Sequence, residues 1–309
     1  MNVSAIITAN DSSIRLDACL NALARQTTRN DEIIIVHNGK QPKTLTKTSR
    51  PLLVWLSSSD NHMLKIKNAA AKQAKGDVLL FINDDCIIPN GYIAYIKHVN
   101  RIDQRTLYQG KNRFVFPKSN WVGDVFNAMD TYSWVQTKKQ LAWKNGRHLT
   151  YLHSECFCLK KATLRQLAQW FSPKTIPLDD GAVLCIALQL LGYTIQYAPQ
   201  LDIRHYKDNL TSLSLYKKAY MQEASRGLLE KRFTVDLKIK RLFPQYDSSR
   251  VSLWEEEAYI ICALSHKSFI FLIFIAGFLV IRRLCRWFGS LVARLCVVSP
   301  TSIMHSTQG

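Results

Sequence analysis

The chain has 309 residues, of which 47% are hydrophobic, enough to fill a packed core, so a disordered chain and a collagen-like repeat are both excluded. Its 41 lysines and arginines outnumber 23 acidic residues and leave a net charge of +18. An excess of this kind favours phosphate-rich partners, whether nucleic acid, anionic lipid or phosphorylated small molecules, and does not choose among them. Residues 1–203 carry +10 of it and residues 204–309 carry +8, so the tail is the more basic part for its length. None of the 8 cysteines forms a CxxC pair, and several sit in apolar runs such as Leu184-Cys185-Ile186. They read as reduced, buried thiols of a cytosolic protein rather than a disulfide framework or a zinc site. The opening MNVSAIIT has neither a basic start nor a long apolar stretch, so no secretory signal is expected.

From residue 3 to about 110, short apolar runs alternate with amphipathic stretches, the pattern of βα units on a largely parallel sheet. Strands are predicted at 3–8, 32–36, 52–56 and 78–82. A helix follows the Asn10-Asp11-Ser12-Ser13 turn, with Ile14, Leu16, Cys19, Leu20 and Leu23 on its apolar face, and a second is predicted over 63–74. Residues 110–175 mix aromatic and basic side chains without a clear period, and 121–135 is their best helix. A helix over 183–191 closes at Gly192, and a strand over 193–197 closes at Pro199.

The string Leu79-Leu80-Phe81-Ile82-Asn83-Asp84-Asp85 brings a buried strand to two adjacent carboxylates at the carboxyl edge of the sheet, where open α/β folds bind ligands. Carboxylates there suit a hard divalent cation shared with substrate phosphates. Aspartates that merely cap a turn would look the same.

Several further segments, in order, resemble the family 2 glycosyltransferases, inverting enzymes of the GT-A fold. VSAIITAND, LDACLNALARQ and EIIIVHNG look like the family's first βαβ unit. NAAAKQAKGD followed by VLLFINDD is similar to its helix and metal-binding strand, and LLGYTIQYAP followed by His205 resembles the segment after its catalytic acid pair. These matches span about residues 3–205. The resemblance implies that Asp85 stands at the last aspartate of the D-x-D motif and binds Mn²⁺ or Mg²⁺. Asp84 would contact the ribose or assist the metal, and Ala9, Asn10, His37 and Asn68 would line the nucleotide. His205 matches a histidine that contacts the metal or the diphosphate; the other reading is a surface histidine between Arg204 and Tyr206. Asp179-Asp180 lies where the family carries its base, Asp180 being favoured, although the same pair would serve as a helix N-cap. The chain departs from the family in three places. His37 replaces an aspartate that touches the base or ribose, Asn83 replaces the first aspartate of the metal motif, and Gly181 falls on the usual base position without a one-residue shift. Residues 222–226, Gln-Glu-Ala-Ser-Arg, differ from the Q-x-x-R-W of processive synthases, which implies transfer of one sugar.

The longest charge-free apolar run, 268–281, reaches about 21 Å as a helix, short of the roughly 30 Å of a bilayer core. A spanning helix would have to take in Lys267 or Arg282-Arg283. A tilted span, an in-plane amphipathic helix through Arg286 and Arg294, and a buried core helix all fit the pattern. The basic residues of 204–250, among them Lys217-Lys218 and Lys231-Arg232, suit either anionic headgroups or solvent.

The expected architecture is therefore a GT-A-like α/β domain with a mostly parallel central sheet at 1–205, a basic helical extension at 206–257 and a membrane-associating tail at 258–309. The expected function is inverting, metal-dependent transfer of a single sugar from a nucleotide-sugar to a hydroxyl acceptor at the cytoplasmic face of the cell membrane. A lipid-linked glycan, lipopolysaccharide or surface polysaccharide precursor would be the acceptor. Transfer to a polyprenyl phosphate and a non-catalytic scaffold on the same fold are the alternatives. Nucleic acid, with no recognition module in sight, is not an expected partner.

Overall fold

The computed structural model describes residues 1–10, 15–38, 52–57, 63–102, 105–116, 121–143, 152, 155–167, 184–185, 187–189, 191–207, 210–217, 219–221, 224, 253–265 and 267–295. Contacts divide the chain into two units, one of Met1–Lys118, Lys139–Thr175 and Asp180–Asp208, the other of Ser119–Lys138, Ile176–Asp179 and Asn209–Gly309.

The first unit is built on a five-stranded sheet. Strands β1 (Val3–Asn10), β2 (Glu32–Asn38), β3 (Leu52–Ser57) and β4 (Val78–Asn83) run parallel, and β8 (Cys156–Lys160) is antiparallel to β4, in the order β3-β2-β1-β4-β8. The sheet is thus mixed rather than wholly parallel. β1 lies at its centre with Val3, Ala5, Ile6 and Ile7 sealed from solvent, which is why it reads as a continuous apolar run instead of an alternation.

One face of the sheet, carrying Ala5, Ile7, Ile33, Ile35, Leu80 and Ile82, shares a core with helices α1 (Leu16–Ala24) and α3 (Tyr92–Ile102). Helix α2 (Met63–Gln73) packs on β1 and β2 and buries Ile66, Ala70 and Ala71. At the amino edge Gly76 is required: its amide donates to Ser4 Oγ at 2.7 Å, and a Cβ there would lie 2.5 Å from the Ser4 amide. Helix α1 starts at Arg15, which caps it without a side-chain hydrogen bond; the Asp11-Ser12-Ser13 cap expected from the sequence lies outside the described residues.

Short strands between residues 86 and 206 form two smaller sheets, and apart from the one predicted at 193–197 the sequence did not reveal them. β5 (Cys86–Ile87), β10 (Ile203–Tyr206) and β7 (Asn112–Val115) form a three-stranded sheet, and β6 (Thr106–Gln109) pairs with β9 (Thr194–Tyr197). Strands of four residues or fewer are too short to show a period. The expected strand at 193–197 is β9, and Gly192 before it holds a φ of 81°. Gly110, after β6, runs so close to the 3-10 turn Pro199–Leu201 that a Cβ would overlap the Leu201 carbonyl.

In the second unit, α4 (Trp121–Trp143) begins where the sequence predicts it, and two further helices are α6 (Leu253–Ala263) and α7 (Phe269–Leu295). A short α5 (Lys161–Leu167) belongs to the first unit. The apolar run and the apolar-basic stretch after it, which read as two helices, are one continuous helix α7, because neither Gly277 nor Gly289 breaks it. Three of its arginines are paired within the second unit. Arg282 Nη2 lies 3.0 Å from Glu256 Oε1, Arg286 Nη1 lies 3.2 Å from Glu256 Oε2, and Arg283 pairs with Glu257, so α6 takes up the charge. Among the described residues no helix is long and apolar enough to cross a membrane.

Candidate active site

The strands of the main sheet end together at its carboxyl edge. β1 and β2 align Ala9 with His37 and Asn10 with Asn38, and β1 and β4 align Thr8 with Asn83. Ala9 and His37 are buried there, side by side. The Asn83 side chain is engaged laterally, its Oδ1 accepting a hydrogen bond from Thr8 Oγ1 at 3.1 Å. Past Asn83 the chain turns sharply: the Asp84 amide donates to the Thr8 carbonyl at 3.3 Å and Asp84 is buried. Asp85 follows, and the chain enters β5, whose Cys86 faces His205 of β10 in antiparallel register.

This crossing brings together groups 120 residues apart in sequence. His205 Nε2 lies 3.0 Å from Asp85 Oδ2, and Lys207 Nζ lies 3.4 Å from the same oxygen. The backbone adds a strut, with the Tyr206 amide donating to the Asp85 carbonyl at 2.8 Å. His205 is fully buried and packs against the Phe114 ring at 5.1 Å, so it is not a surface histidine. Burial alone would raise the Asp85 carboxyl, but the His205 hydrogen bond and the charges of His205 and Lys207 outweigh it and hold the group below its ordinary value. An ionised Asp85 only accepts, so Nε2 carries the proton it shares with Oδ2. Nδ1 is then left buried with no hydrogen-bond partner among the described residues. Nearby, the Arg15 guanidinium stands 4.4 Å over the Tyr206 ring, which places a further cation beside this edge.

Asp85, Cys86 and His205 each offer one donor atom, all within 4.8 Å of one another. A carboxylate oxygen, an imidazole nitrogen and a thiol can hold a divalent cation, which would take the place of the Nε2 proton between His205 and Asp85. Burial pushes the thiols of Cys19 and Cys86 well up, and the charges of Asp84 on Cys19 and Asp85 on both push them further, so both are neutral core thiols here.

Of the residues singled out in the sequence, the structure brings Asp85 and His205 into contact and sets Ala9, Asn10, His37 and Asp84 along the same strand ends. Asn68 sits half-buried on α2. Asp179 and Asp180 lie outside the described residues. Lys207 and Cys86 were not foreseen. The signal for Lys207 was its place two residues after His205, just past the strand that carries the histidine to Asp85.

The chain is similar to known proteins in sequence and in fold. The model of the family described as "Glycosyltransferase like family 2" matches residues 1–226. An "uncharacterized glycosyltransferase" of Haemophilus influenzae is 30% identical over 90 residues, which cover 28% of this chain and 31% of that protein, so the match spans under a third of the relative's length. Among solved structures, the mannosyltransferase PcManGT from Pyrobaculum calidifontis, in complex with GDP-Man and Mn²⁺, aligns with a TM-score of 0.59 at 13% identity over 94% of this chain and 85% of that one. S. aureus TarS 1–349 with UDP-GlcNAc aligns at 0.52 and 15% identity over 95% and 90%. GalNAc-T7 with UDP, GalNAc and Mn²⁺ aligns at 0.54 and 10% identity over 80% of this chain and 54% of its own. At such identities the structural likeness concerns the fold, a GT-A-like α/β architecture, while the family match rests on sequence. The chain belongs to the glycosyltransferase-like family 2.

Proposed function

We propose that this protein is a glycosyltransferase that transfers one sugar, with inversion at the anomeric carbon and in the presence of a divalent cation, from a nucleotide-sugar to a hydroxyl acceptor. The observation that carries the reading is the Asp85–His205 contact at the carboxyl end of β4, with the buried His205 Nδ1 left without a partner. The presence of GDP-Man and Mn²⁺, or of UDP-GlcNAc, in structures of the same fold supports the donor class.

Asp85 and His205 would hold Mn²⁺ or Mg²⁺, which when bound supplies positive charge opposite the nucleotide diphosphate. Ala9, Asn10, His37, Asn68 and Asp84 form the proposed nucleotide contacts, and Lys207 adds an ammonium that can meet the diphosphate as charge grows on it. The acceptor hydroxyl attacks the anomeric carbon while the bond to the diphosphate breaks. The hydroxyl proton passes to a carboxylate, Asp180 in preference to Asp179, and the nucleoside diphosphate leaves. We place the reaction at the cytoplasmic face of the cell membrane, anchored through the C-terminal segment, on a lipid-linked glycan, lipopolysaccharide or surface polysaccharide precursor.

A panel of nucleotide-sugars, with Mn²⁺, with Mg²⁺ and with chelator, tests this directly. One donor is consumed only when the cation is present, its product carries the opposite anomeric configuration, and Asp85→Ala and Asp180→Asn each lower turnover by about a hundredfold or more. Undiminished turnover in chelator or in both variants overturns the assignment.

A further inference from the structure

Helix α7 buries one side in its own unit and leaves the other uncovered. Phe278 stacks on Tyr216 at 4.8 Å and meets Trp121 edge-on at 5.3 Å, and Gly289 lies so close to the Tyr220 carbonyl that a side chain there would collide. On the other side Ile270, Ile273, Val280, Leu284, Phe288 and Leu295 are all exposed by more than half, Ile270 by 78%. At 100° per residue these form a ridge along the helix, flanked by Trp287 on one edge and Val292 on the other, an arc of roughly 140°. Its 27 residues extend about 40 Å. No described charge lies on the arc, because Arg282, Arg283 and Arg286 project from the opposite side to Glu256 and Glu257.

Water-facing apolar surface of this extent marks an interaction site. A second helix of another copy would need only a narrow seam, far less than this arc. Two copies each carrying +18 also repel, whereas an anionic lipid surface attracts such a chain. A spanning arrangement is excluded for α7 by its three internal arginines and the glutamates they hold.

We infer that α7 lies in the plane of a phospholipid bilayer, its apolar arc sunk to the headgroup–acyl boundary and Arg282, Arg283 and Arg286 turned inward onto α6. The inference rests on the membrane placement proposed above and makes it specific: attachment comes from apolar insertion along one leaflet, and these three arginines serve the protein's interior rather than the headgroups.

The test uses the full chain with phosphatidylcholine–phosphatidylglycerol vesicles. Flotation with vesicles should persist in about 1 M salt, where surface charge contacts are screened. Ile273→Glu with Leu284→Glu, both at exposed positions, should leave the circular dichroism spectrum unchanged and lower vesicle affinity roughly tenfold or more, since each removes an inserted apolar side chain. The fluorescence lost between wild type and Trp287→Phe should be quenched by lipids brominated near the headgroup and not by those brominated at the acyl terminus. Flotation that salt abolishes and the two glutamates leave intact overturns the inference while sparing a peripheral membrane placement. Quenching from the bilayer centre, or an arc-dependent dimer that ignores vesicles, overturns it as well. Donor turnover measured on the same variants is independent, so a failure of the catalytic reading shows separately.

Discussion

Replacing Glu256 by alanine tests the junction of α6 and α7 where it is most sensitive. The Arg282 guanidinium is almost wholly buried, its Nη2 donates to both Glu256 oxygens at 3.0 and 3.2 Å, and its Nε and Nη1 have no partner among the described residues. Glu256 is thus the one described carboxylate compensating that charge, and removing it strands a buried cation. Breaking a buried pair from one side costs about 3–5 kcal/mol, and the lower figure applies because Glu256 is itself partly reached by water. Arg282→Met behaves differently. It removes the charge and two unpaired donors together, and Glu256 keeps Arg286 at 3.2 Å, so stability should stay within about 1 kcal/mol of wild type or rise. In the Arg282→Met background, Glu256→Ala should cost about 1 kcal/mol or less, a coupling of about 2 kcal/mol. Thermal unfolding followed by circular dichroism would show the single Glu256→Ala variant melting about 6–12 °C lower. If Arg282→Met costs as much as Glu256→Ala, or if the two add without coupling, the reasoning is refuted.

Gly110→Ala places a methyl against the Leu201 carbonyl, and a loss of about 3 kcal/mol or more is expected by the same assay; a variant as stable as wild type contradicts the packing. Asp31 is held by Lys97 Nζ at 2.7 Å and by the Val3 amide at 2.8 Å, which outweigh its burial and lower its pKa below the ordinary value of about 3.9. Its stabilisation is therefore present above about pH 4 and disappears as pH falls through the lower, folded-state value, so the stability gap between wild type and Asp31→Asn should narrow in acid; a gap constant from pH 6 to pH 3 is the contrary result. His205→Ala should weaken Mn²⁺ binding at least tenfold by titration calorimetry without abolishing folding, and unchanged affinity would remove His205 from the site.

The parallel strands were legible in the residues because β1, β2 and β4 are buried on both faces and so appear as unbroken aliphatic runs. Asp84 and Asp85 were legible for a related reason: a buried strand must end at the sheet edge, and polar residues mark that end. The three-stranded sheet was not, since β5 has two residues and β7 and β10 four each, too few to show a period.

The sequence by itself determined the βα framework, the carboxylates at the edge of the sheet and the apolar character of the tail, all of which depend on short-range periodicity. Only the tertiary structure decided which polar groups meet. Nothing local in Asp85 specifies that β10 will carry His205 and Lys207 to it from 120 and 122 residues away. The tail makes the same point, for its sequence leaves a tilted span, an in-plane helix and a core helix open, and only the fold pairs Arg282, Arg283 and Arg286 with the glutamates of α6. Burying a charge costs too much to be left uncompensated, so its partner is set by the packing of elements and not by their order in the chain.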